Sequence, residues 1–92
     1  MIKSFKNKQT EDLFNYGDQA NIAGMSGTDM IKAVIRLDLV NDAERPEDLN
    51  LAPNHPLVDL GDDNWELHLP LGYKISFRMH EGDAYDVQIT KL

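Results

Sequence analysis

The chain has 92 residues, 41% of them hydrophobic and 27% charged, which supports one domain around one modest core. It contains no cysteine, so disulfides, thiolate nucleophiles and cysteine-based zinc sites are excluded. Its net charge of -7 opposes phosphate backbones, no apolar run approaches the roughly 20 residues of a membrane span, and Met1-Ile2-Lys3-Ser4-Phe5 is too short and polar for a signal peptide, so a cytosolic protein is expected.

Residues 2–5 predict a short first strand. Thr10-Glu11-Asp12 reads as a helix start, a capping hydroxyl followed by acids near the positive end of the helix dipole, and that helix can begin as early as Lys6. Leu13, Phe14 and Tyr16 supply its apolar contacts, and Gly17 is a natural stop. Residues 21–27, with Gly24 and Gly27, form a connector. A second helix is expected from about residue 29 to about residue 42, capped by Ser26 or Thr28. Its broad apolar face comprises Met30, Ile31, Ala33, Val34, Ile35, Leu37, Leu39 and Val40. Pro46 suits the first position of a short helical turn through Leu49, and Pro53 and Pro56 keep residues 52–56 in a loop.

From Leu57 the period changes to two. Trp65, Leu67, Leu69 and Leu71 alternate with polar residues before a turn at Pro70-Leu71-Gly72. Tyr73, Ile75, Phe77 and Met79 alternate next, a turn falls at Glu81-Gly82, and Tyr85, Val87 and Ile89 close the series. A strand, two helices and a three- or four-stranded antiparallel meander make a single α+β domain spanning residues 1–92.

The charge is uneven. Residues 1–40 and 67–92 are each neutral overall, whereas residues 41–66 hold eight acids and one base and so carry the whole imbalance. That segment should repel nucleic acid; it reads either as a solvated surface or as an acidic docking face. Asp59, Asp62, Asp63 and Glu66 lack the spacing of an EF-hand, and an Asp-rich turn between strands explains them more simply than calcium. His55, His68 and His80 fit no metal-ligand spacing, and no cofactor-binding motif stands out.

Met1 to Lys6, Asp48-Leu49-Asn50, His55-Pro56-Leu57, Trp65, and Lys74 to Val87 together resemble the HigB (host inhibition of growth, plasmid maintenance) toxins of the RelE superfamily, over nearly the whole chain. The resemblance implies a compact RelE-like α+β fold, cleavage of mRNA in the ribosomal A site, and a HigA-like helix-turn-helix antitoxin as partner. Such cleavage needs a 2′-hydroxyl deprotonated, phosphate charge stabilised and the 5′-oxygen protonated, which suits histidine, carboxylate and cationic side chains.

Only part of the family site is present. Members typically read His-Pro-Leu-Lys-Gly-Asp-Arg where this chain reads His55-Pro56-Leu57-Val58-Asp59-Leu60-Gly61. His55 is retained, but Val58 and Gly61 occupy the lysine and arginine positions. Lys74 stands where members usually carry arginine, which keeps the charge and loses the planar fork that grips phosphate. The family's terminal Asp-Tyr-His falls on Lys91 and Leu92, with no residue for the last histidine. His55 and Lys74 are thus the residual site residues implied by the resemblance, and Lys91 with Arg78 and His80 forms a candidate relocated site. A lone histidine supplies at most ~10²–10⁴-fold. The expectation is a toxin-fold component of a toxin–antitoxin system with weak or no RNA cleavage and weakened contact with ribosome and mRNA. The alternative is a non-enzymatic module whose acidic segment docks a basic partner. Neither reading invokes a cofactor, a metal or a membrane.

Overall fold

The computed structural model describes residues 1–17, 25–49, 57–69 and 72–92. Helix α1 (Lys8–Tyr16) begins at Asn7, whose side-chain oxygen accepts a hydrogen bond from the Thr10 N–H at 2.9 Å. Asn7 is therefore the cap, not Thr10. The Thr10 side chain is buried instead, and its hydroxyl accepts the Ile89 N–H of the last strand at 3.0 Å. Gly17 ends the helix as expected, with φ of 63°. Leu13 is fully buried and the Phe14 ring lies 5.6 Å from that of Phe5, but Tyr16 is largely exposed.

Helix α2 (Gly27–Asp42) is capped by the Ser26 hydroxyl, which accepts the Asp29 N–H at 3.2 Å. Ala33, Leu37 and Val40, spaced four and three apart, form its buried stripe. Ile31 and Ile35 were expected on that face and are instead exposed, at 57% and 49%. Each precedes a buried residue by two positions, which at roughly 100° per residue puts it on the opposite flank of the helix. A short 3-10 turn over Pro46–Leu49 follows, starting at proline as its geometry favours.

Four strands follow: β1 (Leu57–Gly61), β2 (Asn64–His68), β3 (Tyr73–His80) and β4 (Asp83–Lys91), antiparallel in the order β1-β2-β3-β4. The result is a compact α+β domain. Two two-residue turns build the hairpins at Asp62-Asp63 and Glu81-Gly82, and all four residues have positive φ. Such turns match the right-handed twist of the flanking strands. The Asn64 amide steadies the first by donating to the Gly61 and Asp62 carbonyls. The acid-rich stretch from Asp59 to Glu66 is thus a hairpin, with the Asp59 carboxylate accepting the Gly61 N–H at 2.9 Å. The expected turn at Pro70-Leu71, the loop over residues 52–56 and residues 21–24 of the connector lie outside the described residues.

One face of the sheet is buried. Leu67, Ile75, Phe77, Met79, Val87 and Ile89 pack there with Leu13, Ala33, Leu37 and Val40. Tyr85 does not share this face. A bulge between Ser76/Arg78 and their β4 partners inserts an extra residue at Asp86, whose φ is 55°. The insertion inverts the alternation, so Tyr85 pairs with Arg78 on the far side while Val87 and Ile89 point inward.

The outer edge of β4 is closed by the beginning of the chain. Ile2 and Phe5 pair with Ala84 and Val87 in parallel, as a pair of isolated bridges. Lys3 and Lys6 N–H groups donate to the Ala84 and Val87 carbonyls, and Ala84 and Val87 N–H groups donate back to Met1 and Ser4. The Thr10 hydroxyl takes the Ile89 N–H further along. The edge is capped in cis, which removes the most exposed template for strand addition on that side.

Candidate functional site

The face of the sheet away from the helices is polar throughout its centre. On β3 the period of two places Lys74, Ser76, Arg78 and His80 there. Opposite them on β2 stand His68, Glu66 and Asn64, and on β4 stand Thr90, Gln88, Tyr85 and Asp83. Val58 of β1 lies beside Glu66. This open face holds two separate groups of charged side chains.

The first is centred on Glu66. Lys74 donates to one carboxylate oxygen at 2.6 Å, and His68 Nε2 lies 3.3 Å from the other. Lys74 pairs with His68 across the strands and reaches Glu66 diagonally, a geometry that long side chains span on a pleated sheet. Glu66 is 15% exposed and Lys74 27%. The hydrogen bond from Lys74, reinforced by His68, holds the Glu66 carboxyl below its usual range against the opposing pull of burial. Lys74 is therefore a compensated cation.

The second group lies four residues along β3, roughly 13 Å away. The Arg78 guanidinium carbon sits 4.9 Å above the Tyr85 ring, and the His80 ring is 6.5 Å from the same ring. Arg78 makes no ion pair with any described residue.

Of the sequence-derived site residues, Lys74 reaches the open face but is engaged by Glu66. Arg78 and His80 come together around Tyr85. Lys91 does not join them. It pairs with Tyr73, whose side chain is on the buried face, and stands six residues beyond Tyr85, roughly 20 Å along the strand. The bulge at Asp86 is the reason: without it, residues 85 and 91 would share a face. The relocated set of Lys91, Arg78 and His80 is accordingly split. His55 lies outside the described residues. Val58, at the family's lysine position, is half-buried beside Glu66 and adds no charge.

Two partners escaped the sequence reading. Glu66 and His68 alternate with Trp65 and Leu67, so their shared face was visible in the period, but the diagonal contact with Lys74 needs the strand register. Tyr85 was assigned to the wrong face because no sequence signal marks a bulge at an aspartate. Among the described residues no group of three potential metal ligands is present. No described helix is long and apolar enough to cross a membrane.

A second feature lies on the other side of the sheet. Glu44 and Glu47, in the segment after α2, line a cleft of about 290 Å³ with Asp63, Trp65, Met79 and Glu81. Arg45 and His80 also reach it, Arg45 being drawn toward Asp48 at 3.8 Å.

Together these features define an α+β domain with a polar open sheet face and an acid-rimmed cleft behind it. No family model matches the chain, and no curated protein matches it.

Proposed function

We propose that the protein is a HigB-like toxin-fold component of a toxin–antitoxin system in which RNA cleavage is weak or lost. The reading rests on the motif resemblance; two helices followed by a four-stranded antiparallel meander are consistent with the α+β fold it implies, with Ile2 and Phe5 forming isolated bridges to β4 in place of the expected first strand. The observation that carries the loss of activity is the Glu66–Lys74 pair. The one cation at a family phosphate-gripping position is bonded to a carboxylate at 2.6 Å. Val58 beside it supplies no second cation, and Lys91 projects elsewhere. A phosphate arriving at Lys74 has to displace Glu66 or sit against it, in a chain of net charge -7. In this reading the protein acts in the cytoplasm and binds a HigA-like helix-turn-helix antitoxin.

The test is induced expression with and without a neighbouring antitoxin gene, read as growth and as mRNA cleavage on ribosomes. Normal growth, intact message and a stable complex with the antitoxin are expected. Scission of a translated message that disappears in His55→Ala would overturn the loss of activity, and failure to bind any helix-turn-helix partner would overturn the toxin–antitoxin assignment.

The acid-rimmed cleft favours a second reading, a non-enzymatic module that docks a basic partner through residues 41–66. Trp65 is the only tryptophan and lines that cleft as well as a cavity on the open face, so its fluorescence reports the cleft where the emission change depends on the cleft's own acids. A saturable emission change with an arginine-rich peptide, weakened in Glu44→Gln and Glu47→Gln, is expected on this reading and not on the first.

A further inference from the structure

The beginning of the chain and the β4 bulge together build a second cavity, on the open face. Ser4 accepts the Val87 N–H through its carbonyl at 3.1 Å and the Asp86 N–H through its hydroxyl at 2.9 Å. Lys6 donates its own N–H to the Val87 carbonyl at 2.9 Å, which fixes its backbone beside the bulge. Lys6, Asn64, Ser76, Arg78 and Asp86 then line a cavity of about 200 Å³, together with Trp65 and Phe77. Exposed Leu60 forms part of its wall.

Three properties of this cavity point to a ligand. Arg78 is half-buried, is held over the Tyr85 face, and has no carboxylate partner among the described residues. Stacking leaves the in-plane N–H donors of a guanidinium available, the arrangement that suits bidentate oxyanion recognition. Lys6 adds a second cation without an ion pair among the described residues and supplies mobile donors. Asp86 holds a left-handed backbone conformation that non-glycine residues rarely adopt, pinned by Ser4. Backbone strain of this kind concentrates where a side chain has been re-aimed for use. Its carboxylate also makes no ion pair among the described residues. Next to two cations it serves as an acceptor for hydroxyl groups, not as a partner for phosphate oxygens.

We propose that the cavity bounded by Lys6, Ser76, Arg78 and Asp86 binds a small hydroxylated phosphate monoester, with the phosphate on Arg78 and Lys6 and a ligand hydroxyl on Asp86. A monoester places a dianion at one point, which two cations match. A polynucleotide extends beyond the cavity into a field set by a net charge of -7. The site is distinct from the Lys74 position, and the inference does not rest on the toxin-fold reading.

The experiment is an amide-resolved NMR titration of the full chain with glycerol 3-phosphate, up to about 10 mM, ten times a weak Kd of about 1 mM. Glycerol, inorganic phosphate and a short single-stranded RNA are the other arms. Saturable shifts at Lys6, Arg78, Tyr85 and Asp86 are expected with glycerol 3-phosphate, weaker ones with inorganic phosphate and none with glycerol. Arg78→Gln should weaken binding by about tenfold or more, the loss expected for a charged, forked contact. Lys6→Gln, at an exposed position whose backbone hydrogen bond to Val87 the substitution leaves in place, should weaken it several-fold. Asp86→Asn should lower affinity for glycerol 3-phosphate more than for inorganic phosphate. The proposal fails if glycerol 3-phosphate gives no saturable shift, if Lys6→Gln and Arg78→Gln bind like the parent, or if the RNA binds and the monoester does not. Monoester binding without antitoxin capture would leave this site standing and remove the toxin–antitoxin reading.

Discussion

Glu66→Gln tests the interaction on which the loss of activity turns. The substitution keeps size and an acceptor oxygen but removes the charge that Lys74 and His68 face. Hydrogen bonds to charged groups contribute about 1.5–3 kcal/mol, while exposed ion pairs contribute about 0–1 kcal/mol. With the two side chains 15% and 27% exposed, the pair lies between these limits, and a loss of about 1–2 kcal/mol is expected. For a domain of 92 residues that is a fall in Tm of about 5–10 °C near neutral pH. The sign with pH follows from the direction of the shift. Glu66 is held below its usual 4.5 in the folded state, so its stabilisation is complete above that value and is lost as pH falls through the lower, folded value. The parent and Glu66→Gln should therefore differ most at pH 6–7 and converge under acid. Thermal melts by far-UV circular dichroism at pH 7 and at pH 3 measure both quantities. A gap under roughly 1 °C at pH 7, or an equal gap at both pH values, would refute the pairing as an energetic feature. The functional counterpart is measurable on the same variant: releasing Lys74 should steepen the salt dependence of single-stranded RNA binding by about 0.7 in log–log slope.

Three further outcomes follow from the fold. Thr10→Val is nearly isosteric and leaves the Ile89 N–H without its acceptor in a buried site, so calorimetry should show a loss of about 1–3 kcal/mol, with Thr10→Ser closer to the parent. Asn7→Ala removes the N-cap of α1 and should cost about 1 kcal/mol in a urea melt, whereas a Thr10-capped helix would be indifferent to it. Asp62→Asn with Asp63→Gly recreates the turn sequence favoured when both central residues have positive φ and should raise stability by several tenths to about 1 kcal/mol, seen as a higher urea midpoint at unchanged slope.

Much of the fold was legible because its signals are local. The period-two runs placed the core-facing residues of β2 and β3, Gly17 ended α1, Ser26 capped α2, and Glu81-Gly82 turned the last hairpin. The features that were missed depend on distant partners or on a single inserted residue. Thr10 looks like a cap until the Ile89 N–H, 79 positions away, claims its hydroxyl. Ile31 and Ile35 belong to an apolar stripe wider than the sheet can cover, and hydrophobicity alone does not say which flank is left out. The parallel pairing of residues 1–6 with β4 joins opposite ends of the chain. The candidate site was legible to the same degree. Arg78 and His80 share a face by alternation alone, while excluding Lys91 required the bulge and neutralising Lys74 required the register of β2 against β3.

The charge distribution shows why a net value misleads about a particular face. Glu44, Glu47, Asp63 and Glu81 gather at the cleft behind the sheet, Asp59 is spent inside its hairpin, and Glu66 is spent on Lys74 and His68. On the open face near Arg78, Asp86 is the acid that lines the cavity, against Lys6 and Arg78. At physiological ionic strength interactions between exposed charges fade over about 8 Å, so a ligand the size of a single phosphate responds mainly to this local balance. A chain of phosphates crosses several such lengths and meets the acids as well as the cations. The same molecule can therefore reject a polyanion and hold a small dianion, and the discriminating variable is ligand length at fixed phosphate chemistry.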